Sequence, residues 1–254
     1  MTNALEGRTV RLRPPATALI FTLSLATLAC SSDPTQPVTS APDLGKPSVA
    51  LATLVTSSGI ADQFTTLNTS VWWQSAYQTP TKNGYFRTSN ATVAGGNLEL
   101  WLPKNTYDGG QVETRLSYGY GTYEAIMKCS PARSALCTVY SYASNGDEID
   151  IEVYYSGGWK LDFLVWKRGV KSCRQAIAAP FDPSAAYHTY TYAFSSSAVR
   201  FYVDGVLKSS CVSTLSLPAP SMKFLLSAWQ PSWLNVSKPT STTATRVTAA
   251  YYRP

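Results

Sequence analysis

Short runs in which apolar and polar residues alternate recur along the chain from about residue 61 onward. Because successive side chains of a β-strand point to opposite faces, a period of two predicts strands with one buried face. No window shows the longer period of an extended amphipathic helix. The clearest predicted strands are 98–102, 121–128, 148–154, 160–166, 188–194 and 199–203.

Turn-forming residue pairs separate these runs and predict hairpins or tight loops. The pairs are Asn83-Gly84, Gly95-Gly96, Gly109-Gly110, Gly157-Gly158 and Asp204-Gly205. Many short strands at this spacing are typical of two antiparallel sheets packed face to face. The pattern therefore predicts an all-β fold, a two-sheet antiparallel β-sandwich or jelly roll.

The first part of the chain has a different pattern, which is typical of an export signal. Residues 1–13 are polar with three arginines, and residues 16–29 are apolar or small and uncharged. That stretch is shorter than the ~20 apolar residues of a membrane-spanning helix. Leu28-Ala29-Cys30 resembles a bacterial lipoprotein cleavage box, although Thr27 stands where leucine is preferred. We predict a signal peptide over residues 1–29 and lipidation of Cys30, with ordinary signal cleavage nearby as the alternative.

After Cys30 the chain is rich in Ser, Thr and Pro to about residue 48, which is typical of a flexible tether. We therefore assign residues 30–55 to the lipidated cysteine and a linker, and residues 56–254 to one folded domain. A chain of 254 residues is long enough for one large core.

Composition and charge narrow the class of function. Charged residues are 14% of the chain and aromatic residues 12%, which suits sheets better than amphipathic helices. The formal charge of +6 falls to about +4 without the predicted signal peptide, and no basic run is interleaved with aromatic residues. We therefore expect no nucleic-acid partner, and contact with a membrane only through the N-terminal lipid.

Four cysteines follow Cys30, an even number that suits disulfides in an exported protein. We favour Cys129 with Cys137 across a hairpin, and Cys173 with Cys211. Four cysteines allow three pairings, and free buried thiols are the alternative.

The most informative segment is Glu148-Ile-Asp-Ile-Glu152. In a strand, Glu148, Asp150 and Glu152 share one face, while both isoleucines lie on the other. Like charges on one face repel each other, and no lysine or arginine is interleaved to offset them. Two interpretations of this segment involve no catalysis: an acidic strand that faces solvent, and a calcium site built from the same oxygens.

These three acids also fit one specific chemistry. Cleavage of a glycosidic bond with retention of configuration needs two carboxyl groups ~5 to 5.5 Å apart, one as nucleophile and one as acid and base. The Cα atoms of Glu148 and Glu152 would lie ~13 Å apart on a strand, and inward-leaning side chains close most of that gap. The charge of Asp150 between them is expected to raise the pKa of one glutamic acid.

Other chemistries have little support in the sequence. His188 is the only histidine, so a metal centre with several histidines is excluded and a catalytic triad would depend on it. We expect His188 to be structural. The sequence shows no nucleophile elbow, and no glycine-rich phosphate loop.

Four stretches together resemble glycoside hydrolase family 16, in particular the bacterial β-1,3-1,4-glucanases (lichenases). Asp147-Glu-Ile-Asp-Ile-Glu152 resembles that family's active-site strand in its form without a bulge, and residues 118–128, 186–205 and 222–229 resemble further stretches in the expected order. The resemblance implies a concanavalin-like jelly roll with an open concave cleft, and residues 56–254 would be its catalytic domain. It implies Glu148 as nucleophile, Asp150 as assisting carboxylate and Glu152 as acid/base.

The resemblance also implies substrate-binding aromatic residues in the cleft at Tyr140, Tyr142, Trp166 and Trp229. Pyranose rings pack well on such side chains. It implies no required cofactor, and a structural calcium ion (Ca²⁺) whose ligands it does not assign. We expect an exported monomer, in the bacterial cell envelope or secreted, that acts on a polysaccharide.

The departures from the family concern substrate contacts. Gly146 stands where lichenases have tryptophan, and Leu164 and Ser227 replace asparagines. We therefore predict a retaining endo-β-glucanase, with mixed-linkage β-glucan as substrate by resemblance. A transglycosylase of the same fold acting on xyloglucan or another cell-wall glycan is one alternative, and a lectin-like wall-binding lipoprotein is another.

Overall fold

The computed structural model describes residues 54–56, 59–212, 216–235 and 237–254. In this part of the chain the regular structure is almost entirely β-sheet, and the helices described over their full length are single 3₁₀ turns at Thr88–Asn90 and Ser232–Leu234. The all-β prediction is confirmed. None of the described helices is long and apolar enough to cross a membrane.

The strands are β1 (Leu54–Thr56), β2 (Gly59–Asp62), β3 (Trp72–Gln74), β4 (Ala91–Ala94), β5 (Asn97–Leu102), β6 (Gly110–Thr114), β7 (Gly121–Lys128), β8 (Leu136–Tyr142), β9 (Glu148–Tyr155), β10 (Trp159–Lys167), β11 (Val170–Ala178), β12 (His188–Phe194), β13 (Val199–Val203), β14 (Val206–Cys211), β15 (Lys223–Trp229) and β16 (Thr243–Arg253). All six strands predicted from alternation are present, with ends that differ by at most one residue from the prediction.

The strands form two antiparallel sheets, as predicted. The larger sheet runs β1-β2-β16-β7-β12-β13-β14, with β5 paired to β16 and β4 to β5. The smaller sheet runs β11-β10-β9-β8-β15-β6-β3. The facing sides of the two sheets form one core, in which Tyr123 of the larger sheet contacts Phe224 of the smaller, with ring centroids 5.4 Å apart.

The strand β9 lies in the interior of the smaller sheet, paired along its length with β8 and β10. Ile149, Ile151 and Val153 point into the core and are completely buried. A slip of one residue would move all three to the other face, so burial fixes the register of β9. We call the side of this sheet that points away from the core the cleft face.

One predicted turn differs. Gly109-Gly110 forms no hairpin, because Gly110 already begins β6. A Cβ on Gly109 would lie 2.3 Å from the carbonyl oxygen of Ala228, so the glycine allows two backbones to approach closely.

The predicted domain boundary at residue 56 lies within β1, since Leu54 and Val55 already pair with β2. The predicted signal peptide over residues 1–29, the lipidated Cys30 and residues 31–53 of the predicted linker lie outside the described residues and stay predictions.

The disulfide prediction is half right. Cys173 and Cys211 are joined, but Cys129 and Cys137 are buried free thiols. Cys129 follows β7 of one sheet and Cys137 lies on β8 of the other, so the pair faces across the core and does not span a hairpin. The Cys137 thiol lies 3.1 Å from Oγ1 of Thr245, in an interior that satisfies it without oxidation.

Candidate active site

The side chains of Glu148, Asp150 and Glu152 all point to the cleft face, because they alternate with the buried residues of β9. They line one open cleft of about 670 Å³. The prediction that the three acids project together into an accessible groove from a single strand is confirmed.

Each acid has a partner on both neighbouring strands. On β8, Tyr142, Tyr140 and Thr138 lie opposite Glu148, Asp150 and Glu152, in that order. On β10, the corresponding partners are Trp166, Leu164 and Asp162. Because β9 is hydrogen-bonded on both edges, the backbone under the acids is held in place.

Asp150 is the most enclosed of the three acids, with 4% of its surface exposed. Burial, followed by the negative charges of Glu148 and Glu152, raises the pKa of Asp150 well above its usual range. A side-chain hydrogen bond joins Asp150 to Glu148, and because it raises the pKa of Asp150 and lowers that of Glu148, Asp150 is its donor. Burial also raises the pKa of Glu148, and the hydrogen bond from Asp150 offsets part of that rise.

Glu152 has its pKa raised to about 8, first by burial and then by the negative charges of Asp162 and Glu148. Arg174 and Lys171 oppose this rise. At neutral pH Glu152 is therefore protonated. From the sequence, the charge of Asp150 is the expected cause of such a rise, but the largest electrostatic contribution comes from Asp162, on the neighbouring strand.

The four predicted aromatic residues occupy different environments. Tyr140, Tyr142 and Trp229 line the cleft with the acids. Tyr142 is 42% exposed, whereas Trp229 is almost buried and packs edge-on against Phe86. Trp166 donates a hydrogen bond from Nε1 to Oδ2 of Asp150 at 3.1 Å, so its polar edge is engaged with an acid.

Two polar side chains on the cleft face, Gln111 and Glu113, are not among the site residues predicted from the sequence. The hydroxyl of Tyr140 donates a 2.7 Å hydrogen bond to Oε1 of Gln111, whose amide donates to Ser75 and Tyr77. Glu113 forms an ion pair with Lys223 at 2.7 Å. Both lie on β6, a strand of five residues that is not among the predicted strands.

Asp162 was also missed, although a pattern could have revealed it. Alternation over the predicted strand 160–166, joined to β9 by a turn at Gly157-Gly158, places Asp162 on the same face as the acids. It forms a salt bridge with Arg174 at 2.6 Å.

Asp147 anchors the start of β9. Its buried carboxylate accepts hydrogen bonds of 2.8 Å from the backbone N–H groups of Arg168 and Ala219. The residue before it explains one departure from the lichenase pattern, since Gly146 has a φ of 83° and a Cβ there would lie 2.6 Å from the amide nitrogen of Gly169. A tryptophan does not fit this loop.

His188 lies on β12 of the other sheet, where it stacks on Phe181 and places Nδ1 2.7 Å from Oδ2 of Asp204. Its predicted structural role is consistent with these contacts. Within the described part of the chain no three Asp, Glu, His or Cys residues are grouped so that they could hold a metal ion. The calcium ion stays a prediction, because calcium also binds backbone carbonyl oxygens and the side-chain oxygens of Asn and Gln.

Comparison with known proteins gives matches over most of the chain. The model of Glycosyl hydrolases family 16 matches residues 74–253. A Beta-glucanase of Paenibacillus polymyxa is 32% identical over 165 residues, 60% of this chain and 68% of that protein. The solved structure of the Bacillus licheniformis β-glucanase has a TM-score of 0.72 at 24% identity, covering 79% of this chain and all of the other. The transglycosylase Crh5 has a TM-score of 0.65 at 17% identity, covering 77% of this chain and 84% of the other.

Proposed function

The chain belongs to glycosyl hydrolases family 16 and is therefore a glycoside hydrolase, and on that premise we propose that it is a retaining endo-β-glucanase. The observation that carries the proposal is that the three acids of β9 line one cleft. The pKa of Glu152 is raised to about 8, whereas a hydrogen bond from Asp150 offsets part of the rise that burial causes in the pKa of Glu148. An open cleft admits a long chain at an internal position, which suits endo cleavage. Since relatives are named Beta-glucanase, we propose a β-glucan as substrate and, by the resemblance to lichenases, the mixed-linkage β-1,3-1,4 form.

In the proposed mechanism Glu152 is the general acid and Glu148 the nucleophile. Glu152 donates its proton to the glycosidic oxygen while a carboxylate oxygen of Glu148 bonds to the anomeric carbon, and the leaving sugar departs with its bonding electrons and the proton. Glu152, now ionised, removes a proton from water, which attacks the anomeric carbon and releases Glu148. Two inversions give net retention.

The neighbours of Glu148 and Glu152 support these roles. A general acid must hold a proton at working pH, and the raised pKa of Glu152 supplies this. The hydrogen bond from Asp150 stabilises the ionised form of Glu148 and orients it. We propose Asp150 as the assisting carboxyl group, and Tyr140, Tyr142 and Trp229 as sugar contacts. Trp166 supports the site through Asp150.

The test is the pair of isosteric variants Glu148→Gln and Glu152→Gln, assayed on the glycan that gives the highest rate in a screen of lichenan, laminarin, xyloglucan and curdlan. Each variant should bind the glycan, and Glu152→Gln should lose roughly 100- to 10,000-fold in kcat. Proton NMR of the first product should show the β-anomer. Near-normal turnover in either variant, or an α-anomer first, would refute the assignment.

A transglycosylase is the second candidate, because the described fold is also that of Crh5. Transfer differs from hydrolysis only in the acceptor, a sugar hydroxyl in place of water. Products formed with labelled oligosaccharide acceptors distinguish the two reactions. Membership in a hydrolase family argues against the lectin-like alternative.

We also propose that the protein is exported, anchored through Cys30, monomeric, and active without a cofactor. Replacement of Cys30 by alanine should release it from the membrane fraction of the expressing cell. Activity that survives dialysis against a chelator would support activity without a cofactor. Loss of activity that calcium restores would contradict it.

A further inference from the structure

An ion pair lies beside the proposed general acid, and its carboxylate is buried while its guanidinium is partly exposed. Asp162 has 1% of its surface exposed, and Arg174 reaches it from β11 with Nε 3.1 and 2.9 Å from the two carboxylate oxygens and one terminal nitrogen 2.6 Å from Oδ2. The hydroxyl of Tyr154 donates a further hydrogen bond of 3.2 Å to Oδ2. Several donors therefore hold this carboxylate in one orientation.

The place of the pair in the sheet gives it a definite relation to Glu152. Asp162 is the direct partner of Glu152 on the adjacent strand and lies on the same face. Directly opposed residues of antiparallel strands have Cβ atoms about 4.5–5.5 Å apart. Arg174 lies one strand further away, so Glu152 lies nearer to the negative member of the pair. On its other side Glu152 faces uncharged Thr138 of β8.

The ionisable side chains of the cleft face within two strands of Glu152 are Glu148, Asp150 and Tyr154 on β9, Lys160 and Asp162 on β10, Lys171 and Arg174 on β11, Tyr140 and Tyr142 on β8, and Lys223 on β15. Among them, Asp162 is the acid that lies directly opposite Glu152. Hydrogen bonds from Arg174 and Tyr154 hold its negatively charged carboxylate in place. Buried and out of reach of a sugar, it acts on the reaction only through Glu152.

We propose that the Asp162–Arg174 pair is a positioning element that holds the proton on Glu152: Asp162 supplies the adjacent negative charge, and Arg174 fixes that charge and limits its strength. The inference rests on the proposed role of Glu152 as general acid. It extends that role, because the upper pH limit of the reaction then depends on Asp162, which is not one of the three acids of β9. The raised pKa of Glu152, to which Asp162 and Arg174 contribute with opposite signs, agrees with it.

The experiment compares pH profiles of kcat/KM for the wild type, Asp162→Asn, Arg174→Met and the double variant. Asp162→Asn removes the negative charge and leaves Arg174 unopposed, so the alkaline midpoint should fall by about one to two pH units. Arg174→Met leaves Asp162 unopposed, so the midpoint should rise. The double variant should lie between them. A structural role alone would lower activity in both single variants without opposite shifts.

The matched control is Glu99→Gln, which breaks a carboxylate–arginine pair of the other sheet (Glu99 with Arg246, 2.9 Å) and should leave the midpoint unchanged. If Arg174→Met does not fold, as thermal unfolding would reveal, Arg174→Lys replaces it and should give a smaller upward shift. Carbon-13 NMR titration of Glu152, assigned by comparison with Glu152→Gln, gives the same shifts without turnover.

Midpoints that move in the same direction in both single variants, or that do not move, would overturn the inference. This failure is distinct from failure of the proposed function. An active Glu152→Gln variant would refute the general acid itself, whereas an inactive Glu152→Gln with an unmoved midpoint in Asp162→Asn refutes only the role of Asp162.

Discussion

The indole N–H of Trp166 donates a hydrogen bond of 3.1 Å to Oδ2 of Asp150, the middle acid of β9. Asp150 in turn donates a hydrogen bond to Glu148. The indole therefore acts at one end of a chain of hydrogen bonds that leads to the proposed nucleophile, and it orients the carboxyl group that carries the proton.

This relationship predicts the effect of Trp166→Phe, which keeps an aromatic ring but removes the donor. We expect kcat to fall by about tenfold, which corresponds to a hydrogen bond of ~1.4 kcal/mol, and KM to change little. Steady-state kinetics on the preferred glycan separate the two constants. A raised KM with unchanged kcat would instead show that Trp166 binds sugar, as the family resemblance implies.

A second prediction concerns the far end of the cleft face. Trp73 on β3 lies opposite Glu113, a residue that lines the cleft, and its side chain is 53% exposed. It is four strands from β9, or about 19 Å at ~4.8 Å per strand. Only a long glycan reaches from the acids to this indole. Trp73→Ala should therefore lower kcat/KM about five- to tenfold on long chains and leave it unchanged on the shortest oligosaccharide that is cut.

Tyr187→Ala is the control for Trp73→Ala. Tyr187 is 38% exposed and donates a hydrogen bond to Asn97 of β5, in the other sheet. Its replacement removes an exposed aromatic ring outside the cleft face and should have no effect that depends on chain length. Equal effects of Trp73→Ala on long and short substrates would contradict a distal sugar contact.

The hydrogen bonds to Asp147 predict how the free energy of unfolding depends on pH. Burial alone would raise its pKa, but the N–H groups of Ala219 and Arg168, with Asn145 and Lys167, lower it below the ordinary value of 3.8. The unfolded chain therefore takes up a proton at higher pH than the folded one, so this stabilisation is complete well above pH 3.8 and is lost as the pH falls below it. Asp147→Asn should unfold more easily at pH 7, by roughly 1–3 kcal/mol.

Urea unfolding of the wild type and Asp147→Asn at pH 7 and pH 3 measures this dependence. The difference between the two proteins should shrink at pH 3, below the ordinary pKa of 3.8, because the carboxylate of the unfolded wild type is then largely protonated. A difference that is the same at both pH values would show that the packing of this side chain, not its charge, stabilises the loop.

The sequence predicted the strand-level features well, since alternation over eight residues is a strong local pattern. The three acids of β9 were found for that reason. Asp162 and Gln111 were missed because their importance depends on which strands are neighbours, and strand order is a long-range property. The environment of Trp166 was missed for a related reason, as alternation gives the face of a side chain but not its hydrogen-bond partner.

The pairing of the cysteines also depends on long-range strand order, which the sequence pattern does not give. Spacing in the sequence favoured Cys129 with Cys137, because eight residues suit a hairpin. The chain between them instead crosses from β7 of one sheet to β8 of the other, where both thiols are buried. Cys173 and Cys211, 38 residues apart, are bonded across strands of different sheets, β11 and β14.

The last prediction follows from this pairing. In the purified folded protein Cys129 and Cys137 should resist a thiol reagent and react once the chain is unfolded. Loss of the other bridge in Cys173→Ser/Cys211→Ser should lower the free energy of unfolding by up to about 4 kcal/mol, because a loop of 38 residues is no longer closed in the unfolded chain. Cys129→Ala is the control for loss of a buried thiol alone. Mass spectrometry of a non-reduced digest that found Cys129 linked to Cys137 would contradict the assignment.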